Sequence, residues 1–275
     1  MHTIVYINGK FCESSVATID FYDSGFMFGY GLFETIRFNK NTLFKIDDHL
    51  NRLFQGLKQI QLKTGYSKNF IIDCIMQLIN KNNMESGLAK IIITRGRTED
   101  FNLNENYTPS LFISLKKLPK IDKSPINIKF LSESNYPLIR FKNSVKSLNY
   151  LGNILAKLDS DKDAFEPVFY NENGIVTECA FRNIFFIKNN CLYTPSTDLG
   201  ILPGIMRETI IEITRKMNIN ISFDSILYKT IDSMEEAFIS STGIGLLPCY
   251  WENWNSKTNY QLTQKIEQHL REFLP

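Results

Sequence analysis

The polar run Leu118-Pro119-Lys120-Ile121-Asp122-Lys123-Ser124-Pro125 is bounded by two prolines. Proline has no backbone N–H and holds the residue before it extended, so neither a helix nor a central strand runs through this segment. The run predicts a linker over 118–125 between an N-terminal domain, 1–117, and a C-terminal domain, 126–275. With 275 residues, 43% of them apolar and 22% charged, the chain is long enough for each part to bury its own core.

Each part mixes strand and helix patterns. Ile4-Val5-Tyr6-Ile7 runs into Asn8-Gly9, the signal of a type I′ hairpin, and a second hairpin reads from Leu32 to Phe38, through Asn39-Lys40-Asn41, to Thr42-Leu43-Phe44. Asp47 is placed to cap a helix whose Leu50, Leu53, Phe54, Leu57 and Ile60 share a face, and Ser67 to cap another through Ile71, Ile75 and Leu78. Strands are expected at 88–94 and 111–115. Beyond the linker, strands are expected at 126–131, 184–187 and 237–240, and around an Asn173-Gly174 turn. Helices are expected from near Ser147, at 205–217 and at 261–273. The stripe Met206, Ile210, Ile213 and Met217 reads as core. The fold class is α+β in two domains.

A formal net charge of +2 without long basic runs argues against nucleic acid and against an anionic membrane surface as partners. No apolar stretch approaches the roughly 20 residues of a membrane helix, and the N-terminus has no cleavable signal pattern, so a cytoplasmic protein is expected. The five cysteines are odd in number and never in a C-x-x-C spacing, which argues for reduced, structural thiols. His2, His49 and His269 stand in no metal-ligand spacing, so no metal site is expected and hydrolase readings are weakened.

Chemistry must come from elsewhere, and the most informative residues lie between Val145 and Arg207. Lys146-Ser147-Leu148-Asn149-Tyr150-Leu151 precedes Gly174-Ile175-Val176-Thr177-Glu178, then Asn183-Ile184-Phe185-Phe186, Leu192-Tyr193-Thr194-Pro195 and Leu202-Pro203-Gly204-Ile205-Met206-Arg207. Upstream stand Asp23-Ser24-Gly25, Gly29-Tyr30-Gly31-Leu32-Phe33-Glu34-Thr35-Ile36-Arg37, and His49 with Arg52-Leu53. In order and spacing this set resembles the class IV (fold type IV) pyridoxal-phosphate-dependent aminotransferases, which include branched-chain aminotransferases, D-amino-acid aminotransferases and aminodeoxychorismate lyases. The resemblance spans nearly the whole chain. It implies a small N-terminal α/β sandwich, a larger C-terminal domain with a barrel-like sheet, pyridoxal 5′-phosphate between them, a small-molecule amino substrate and a homodimer.

That cofactor needs a lysine amine, a carboxylate at its ring nitrogen and donors for its phosphate. The resemblance makes Lys146 the Schiff-base lysine and the base that moves the substrate's α proton; alone, a lysine before a helix reads as a solvated charge. It makes Glu178 the partner of the pyridine nitrogen, and the apolar residues after it suggest burial, where a carboxylate needs a positive partner. For the phosphate it points to Arg52, to Gly204, Ile205 and Met206 where a helix opens, and to Ser241 and Thr242 after an apolar strand. A helix N-terminus favours an anion, and arginine offers parallel donors. Tyr150 resembles the tyrosine that bonds the cofactor's phenolic oxygen in branched-chain enzymes, one residue closer to the lysine here. Glu34 suits either a charged network around the lysine or Arg140, or a simple hairpin ion pair.

Substrate choice rests on fewer residues. Tyr30, Phe33 and Arg97 are the candidate substrate contacts. Gly31-Leu32-Phe33-Glu34-Thr35-Ile36-Arg37 and Gly204-Ile205-Met206-Arg207 are similar to aminodeoxychorismate lyases, whereas Lys146-Ser147-Leu148-Asn149 with Leu151-Gly152 is similar to D-amino-acid aminotransferases. Phe33 stands where that second group has tyrosine, and Arg97-Thr98-Glu99 replaces its arginine-x-histidine pair; Asp100 and Phe101 follow in place of the lyases' usual continuation. Arg97 is either a carboxylate contact or a structural salt bridge. The expected activity is 4-amino-4-deoxychorismate lyase, with branched-chain or D-amino-acid transaminase as the alternative and a non-catalytic cofactor-binding protein as the remote one.

Overall fold

The computed structural model describes residues 3–98, 106–140, 143–160 and 164–275. His2, Glu99, Asp100 and Phe101 lie outside the described residues. By their contacts the residues fall into two compact units, one of Met1–Pro119 with Val145–Asn149 and Pro275, the other of Lys120–Ser144 with Tyr150–Leu274.

In the first unit the elements run β1 (Ile4–Ile7), β2 (Lys10–Glu13), α1 (Ser24–Phe28), β3 (Gly31–Asn39), β4 (Thr42–Leu43), α2 (Ile46–Gln59), α3 (Lys68–Lys81), β5 (Ser86–Thr94) and β6 (Ser110–Lys116). The strands form one antiparallel sheet ordered β2-β1-β6-β5-β3-β4. Asn8 and Gly9 both have positive φ, as a type I′ turn requires. Alternation along β3 buries Leu32, Glu34, Ile36 and Phe38 and leaves Phe33, Thr35 and Arg37 half-buried on the other face. The buried face meets Leu50, Leu53 and Leu57 of α2, while Ile71, Ile75 and Leu78 of α3 join the same core. Each such side chain, fully buried, contributes about 1.5–3 kcal/mol. Ser67 caps α3 as expected, its hydroxyl accepting from Phe70 N. Asp47 does not cap α2: Lys45, in the left-handed region, precedes the helix, and Asp47 sits in the first turn, where its charge favours the positive end of the helix dipole.

The second unit contains β7 (Ile126–Ser132), α4 (Leu151–Asp159), β8 (Glu166–Tyr170), β9 (Val176–Cys179), β10 (Asn183–Lys188), β11 (Cys191–Tyr193), α5 (Ile205–Lys216), β12 (Asn220–Ser222), β13 (Glu236–Ser241), β14 (Gly245–Tyr250) and α6 (Gln261–Phe273). Its sheet, ordered β12-β11-β10-β13-β14-β7-β8-β9, is mixed and is the curled half-barrel of the expected fold. Apart from their last residues, β10, β13 and β14 are buried throughout, which explains why they read as near-continuous apolar runs rather than as alternation. Met206, Ile210 and Ile213 of the α5 stripe are buried core. No helix among the described residues is long and apolar enough to cross a membrane.

A second expectation is corrected. No helix begins near Ser147; α4 starts at Leu151. Residues 145–149 lie along β3 instead, with Phe33 N donating to Lys146 O at 2.9 Å, Leu148 N to Gly31 O at 3.1 Å, and Leu32 bridged to Ser147. Those backbone bonds hold the segment extended and place Lys146 in the first unit, although it follows the linker in sequence.

Candidate active site

The extended segment carries Lys146 onto the face of β3 that holds Phe33. The Lys146 ammonium stands 4.7 Å from the Phe33 ring centroid, and the Lys90 ammonium stands 4.8 Å from the same centroid. Lys90 faces Thr35 across the β3–β5 pair, so it is the diagonal neighbour of Phe33 on one side of the sheet. Burial lowers the pKa of Lys90, and the charges of Lys116 and Lys146 add to the shift. The sequence reading missed Lys90: a lysine alternating within an apolar strand marks a face, but its neighbour across the sheet is not a local property.

On the opposite face of β3, Glu34 is buried against α2. Arg52 clamps it with two donors, Nε to Oε1 at 2.7 Å and Nη2 to Oε2 at 2.8 Å, and His49 Nδ1 lies 2.8 Å from Oε2. His49 and Arg52 are one helical turn apart, which brings both side chains to one carboxylate. Burial alone would raise the Glu34 pKa; the Arg52 charge and the hydrogen bonds from His49 and Arg52 outweigh it and hold the group at about 2. Burial lowers the pKa of His49; the contact with Glu34 works the other way, and the charges of Arg52 and Lys146 add to the lowering. Glu34 therefore belongs to a buried charged network built on Arg52 and His49, which is neither the hairpin ion pair nor the network with Lys146 or Arg140 open from sequence.

Tyr30 donates its hydroxyl to Ile60 O at 2.9 Å. Arg97 is exposed, bonds both carboxylate oxygens of Asp20 at 2.9 and 2.7 Å, and lies over the Tyr22 ring. Of the two alternatives for Arg97, the structure contains the salt bridge.

In the second unit Glu178 projects from β9. Arg140 Nη1 donates to its Oε1 at 2.5 Å, and Leu202 N donates to its Oε2 at 3.2 Å. Arg140 also pairs with Glu133, which accepts from Thr177 Oγ1 at 2.6 Å. Burial disfavours the Arg140 charge, yet Glu178 and Glu133 together raise its pKa, so the guanidinium remains a fixed cation beside Glu178. Tyr150, just before α4, stacks on Phe181 with centroids 5.8 Å apart.

Leu202 leads into α5, whose N-cap residue, Gly204, contributes no side-chain cap. The first-turn amides of Ile205 and Met206 thus retain the anion-attracting character of a helix start. A Cβ on residue 204 would collide with Asn183 Oδ1, so glycine is required there by space. Asn183 Nδ2 donates to Leu202 O at 3.2 Å, and Asn183 is the strand partner of Ser240 on β13. Ser240 Oγ is buried without a hydrogen-bond partner, and Ser241 and Thr242 follow it at the strand end. Asn183 therefore gathers Glu178, the turn 202–206 and residues 240–242 to one end of the β10–β13 pair. An asparagine opening an otherwise apolar strand was the available signal for it.

Each unit by itself carries features that suit pyridoxal 5′-phosphate, the first a half-buried primary amine, the second a carboxylate paired with a guanidinium and an uncapped helix start near an unsatisfied buried hydroxyl.

Comparison with known proteins agrees. The family described as Amino-transferase class IV matches residues 31–250. The aminodeoxychorismate lyase of Bacillus subtilis is 30% identical over 251 residues, covering 89% of this chain and 85% of that protein. The D-alanine aminotransferase of Listeria innocua is 30% identical over 254 residues, covering 89% and 86%. The crystal structure of the branched-chain aminotransferase of Thermoproteus uzoniensis superposes with a TM-score of 0.89 at 22% identity, covering 99% of this chain and 94% of that one. The chain belongs to the class IV aminotransferases, the pyridoxal-phosphate-dependent enzymes that act on small amino substrates.

Proposed function

We propose that the protein is a 4-amino-4-deoxychorismate lyase, releasing 4-aminobenzoate and pyruvate, and that it works as a cytoplasmic homodimer. The observation that carries this reading is the second ammonium, Lys90, beside the same aromatic ring as Lys146. A substrate bearing a carboxylate on its ring meets a fixed cation there, one that a neutral aliphatic side chain does not need. The engagement of Arg97 with Asp20 weighs against its use for D-amino-acid carboxylate recognition.

When bound, pyridoxal phosphate supplies an electron sink for the carbon next to the substrate amine. Lys146 is the residue that would hold the cofactor's aldehyde carbon, and its amine would move the proton at the substrate carbon. Glu178, paired with Arg140, would hold the pyridine nitrogen. Arg52, the Gly204-Ile205-Met206 turn, Ser241 and Thr242 would receive the phosphate, and Tyr150 would bond the cofactor's phenolic oxygen. Phe33 shapes the substrate side, whereas Tyr30 is held by Ile60 O. In the first unit Val16, Ile19, Phe21 and Phe26 are each at least 58% exposed, and in the second Leu151, Ile154, Leu155 and Leu158 form an exposed stripe on α4. Apolar patches of this kind favour a homodimer.

Incubation of the purified, cofactor-loaded protein with 4-amino-4-deoxychorismate should yield 4-aminobenzoate. A parallel incubation with L- or D-amino acids and 2-oxoglutarate tests transamination. Glutamate formation in the second without 4-aminobenzoate in the first overturns the lyase reading and favours the transaminase one, to which the Listeria relative's name corresponds.

A further inference from the structure

The first unit contains a cavity of about 350 Å³ whose described lining does not include Lys146 or Phe33. Its apolar walls come from Phe28, Tyr30, Leu32 and Ile60. The Tyr30 hydroxyl is engaged by Ile60 O, so that residue presents its ring. Leu32 belongs to the face of β3 opposite Phe33, so the cavity lies across the strand from the Lys146 ammonium.

Among these walls stand the polar side chains of Arg95, Thr98 and Ser24, together with those of Ser147 and Asn149. Arg95 is 3% exposed, donates from Nη1 to Thr98 Oγ1 at 2.7 Å, and lies with its guanidinium carbon 4.4 Å from the Tyr107 ring centroid. Thr98 accepts that bond, which leaves its hydroxyl proton to donate. Ser24 is 1% exposed, and its Oγ has no hydrogen-bond partner. A buried hydroxyl without a partner is a deficit that an acceptor in the cavity removes. Asp23, whose charge opposes an anion, is not part of the lining; its carboxylate accepts from Gly25 N and Thr94 Oγ1, each at 2.8 Å. A buried guanidinium, two hydroxyl groups and an apolar body of this volume match a small organic acid.

We propose that this cavity binds a small organic monocarboxylate with an apolar body, its carboxylate on Arg95, Ser24 and Thr98, at a site separate from the one that holds the cofactor lysine. Ser147 also lines the cavity. An occupant therefore touches the residue next to Lys146, which gives the bound acid a route to the reactive amine.

The test is calorimetric titration of the cofactor-loaded protein with benzoate and with its neutral analogue, benzamide. Benzoate is expected to bind saturably, and benzamide about tenfold more weakly or worse. Arg95→Gln should weaken benzoate about tenfold or more, and Ser24→Ala about fivefold. If circular dichroism finds Arg95→Gln unfolded, Ser24→Ala and the benzamide comparison decide. Lys146→Ala should keep benzoate binding. Equal binding of benzamide and benzoate, no saturable benzoate binding, or an unchanged affinity in Ser24→Ala overturns the proposal. Loss of benzoate binding in Lys146→Ala overturns it as well, by moving the acid to the lysine site. A protein that binds benzoate through Arg95 but forms no 4-aminobenzoate keeps this cavity and rejects the lyase.

Discussion

The side-chain carbonyl of Asn183 stands where a β-carbon on residue 204 would have to go. Gly204 has φ −69°, which any residue adopts, so the need for glycine is one of space. Gly204→Ala should push Asn183 from Leu202 O and shift the helix start, costing about 1–3 kcal/mol. Thermal melts with and without cofactor should reveal a larger loss in the loaded protein. Asn183→Gly in the same chain should recover part of it, and a strictly additive double variant would refute the contact.

Lys146→Ala should abolish the absorbance of the lysine-bound cofactor and its reduction by borohydride, and lower turnover by about 10³-fold or more. A variant as yellow and as active as the parent removes Lys146 from the chemistry.

Lys90→Met keeps the stem of the side chain over Phe33 and deletes its charge. With an anionic substrate KM should rise about tenfold while kcat changes little, since the lost contact is with the carboxylate rather than the reacting carbon. An unchanged KM would mean that Lys90 is a structural neighbour of the ring.

Glu34 links pH to stability. Its folded pKa, about 2, lies below its ordinary value of 4.5, so the carboxylate's contribution is complete above about 4.5 and is lost as the pH falls toward 2. The contribution amounts to about 3 kcal/mol. Denaturant titrations of the parent should give falling stability across that window, and Glu34→Gln should be less stable at neutral pH with a flatter acid profile. Parallel profiles for the two proteins would show that the Arg52 clamp does not hold the carboxylate down.

Phe26 is 66% exposed beside Phe21, with ring centroids 6.2 Å apart. If this patch joins two copies of the chain, Phe26→Asp should shift the sedimenting species from dimer to monomer at low protein concentration. A parent that sediments as a monomer ends the homodimer proposal.

Much of this protein was legible in its residues. Both hairpins, the Ser67 cap and the α5 stripe follow from alternation, turn chemistry and helical period, which are properties of neighbours in sequence. Lys146 and Glu178 were proposed from a resemblance whose motifs are ordered along the chain. Other relationships were not: Lys90 reaches the ring beside Lys146, Asn183 fits under Gly204, and Arg95 comes to Ser24 through chain segments far apart in sequence.

The amino-acid order alone therefore determined the α+β class and most strands and helices, because those depend on local backbone preference and periodicity. Tertiary structure decided that residues 145–149 run along β3 instead of starting a helix, that Arg52 and His49 share Glu34, and that Arg97 turns to Asp20. Each of those outcomes is a competition for one hydrogen-bond or charge partner. Which competitor wins is set by distance after folding.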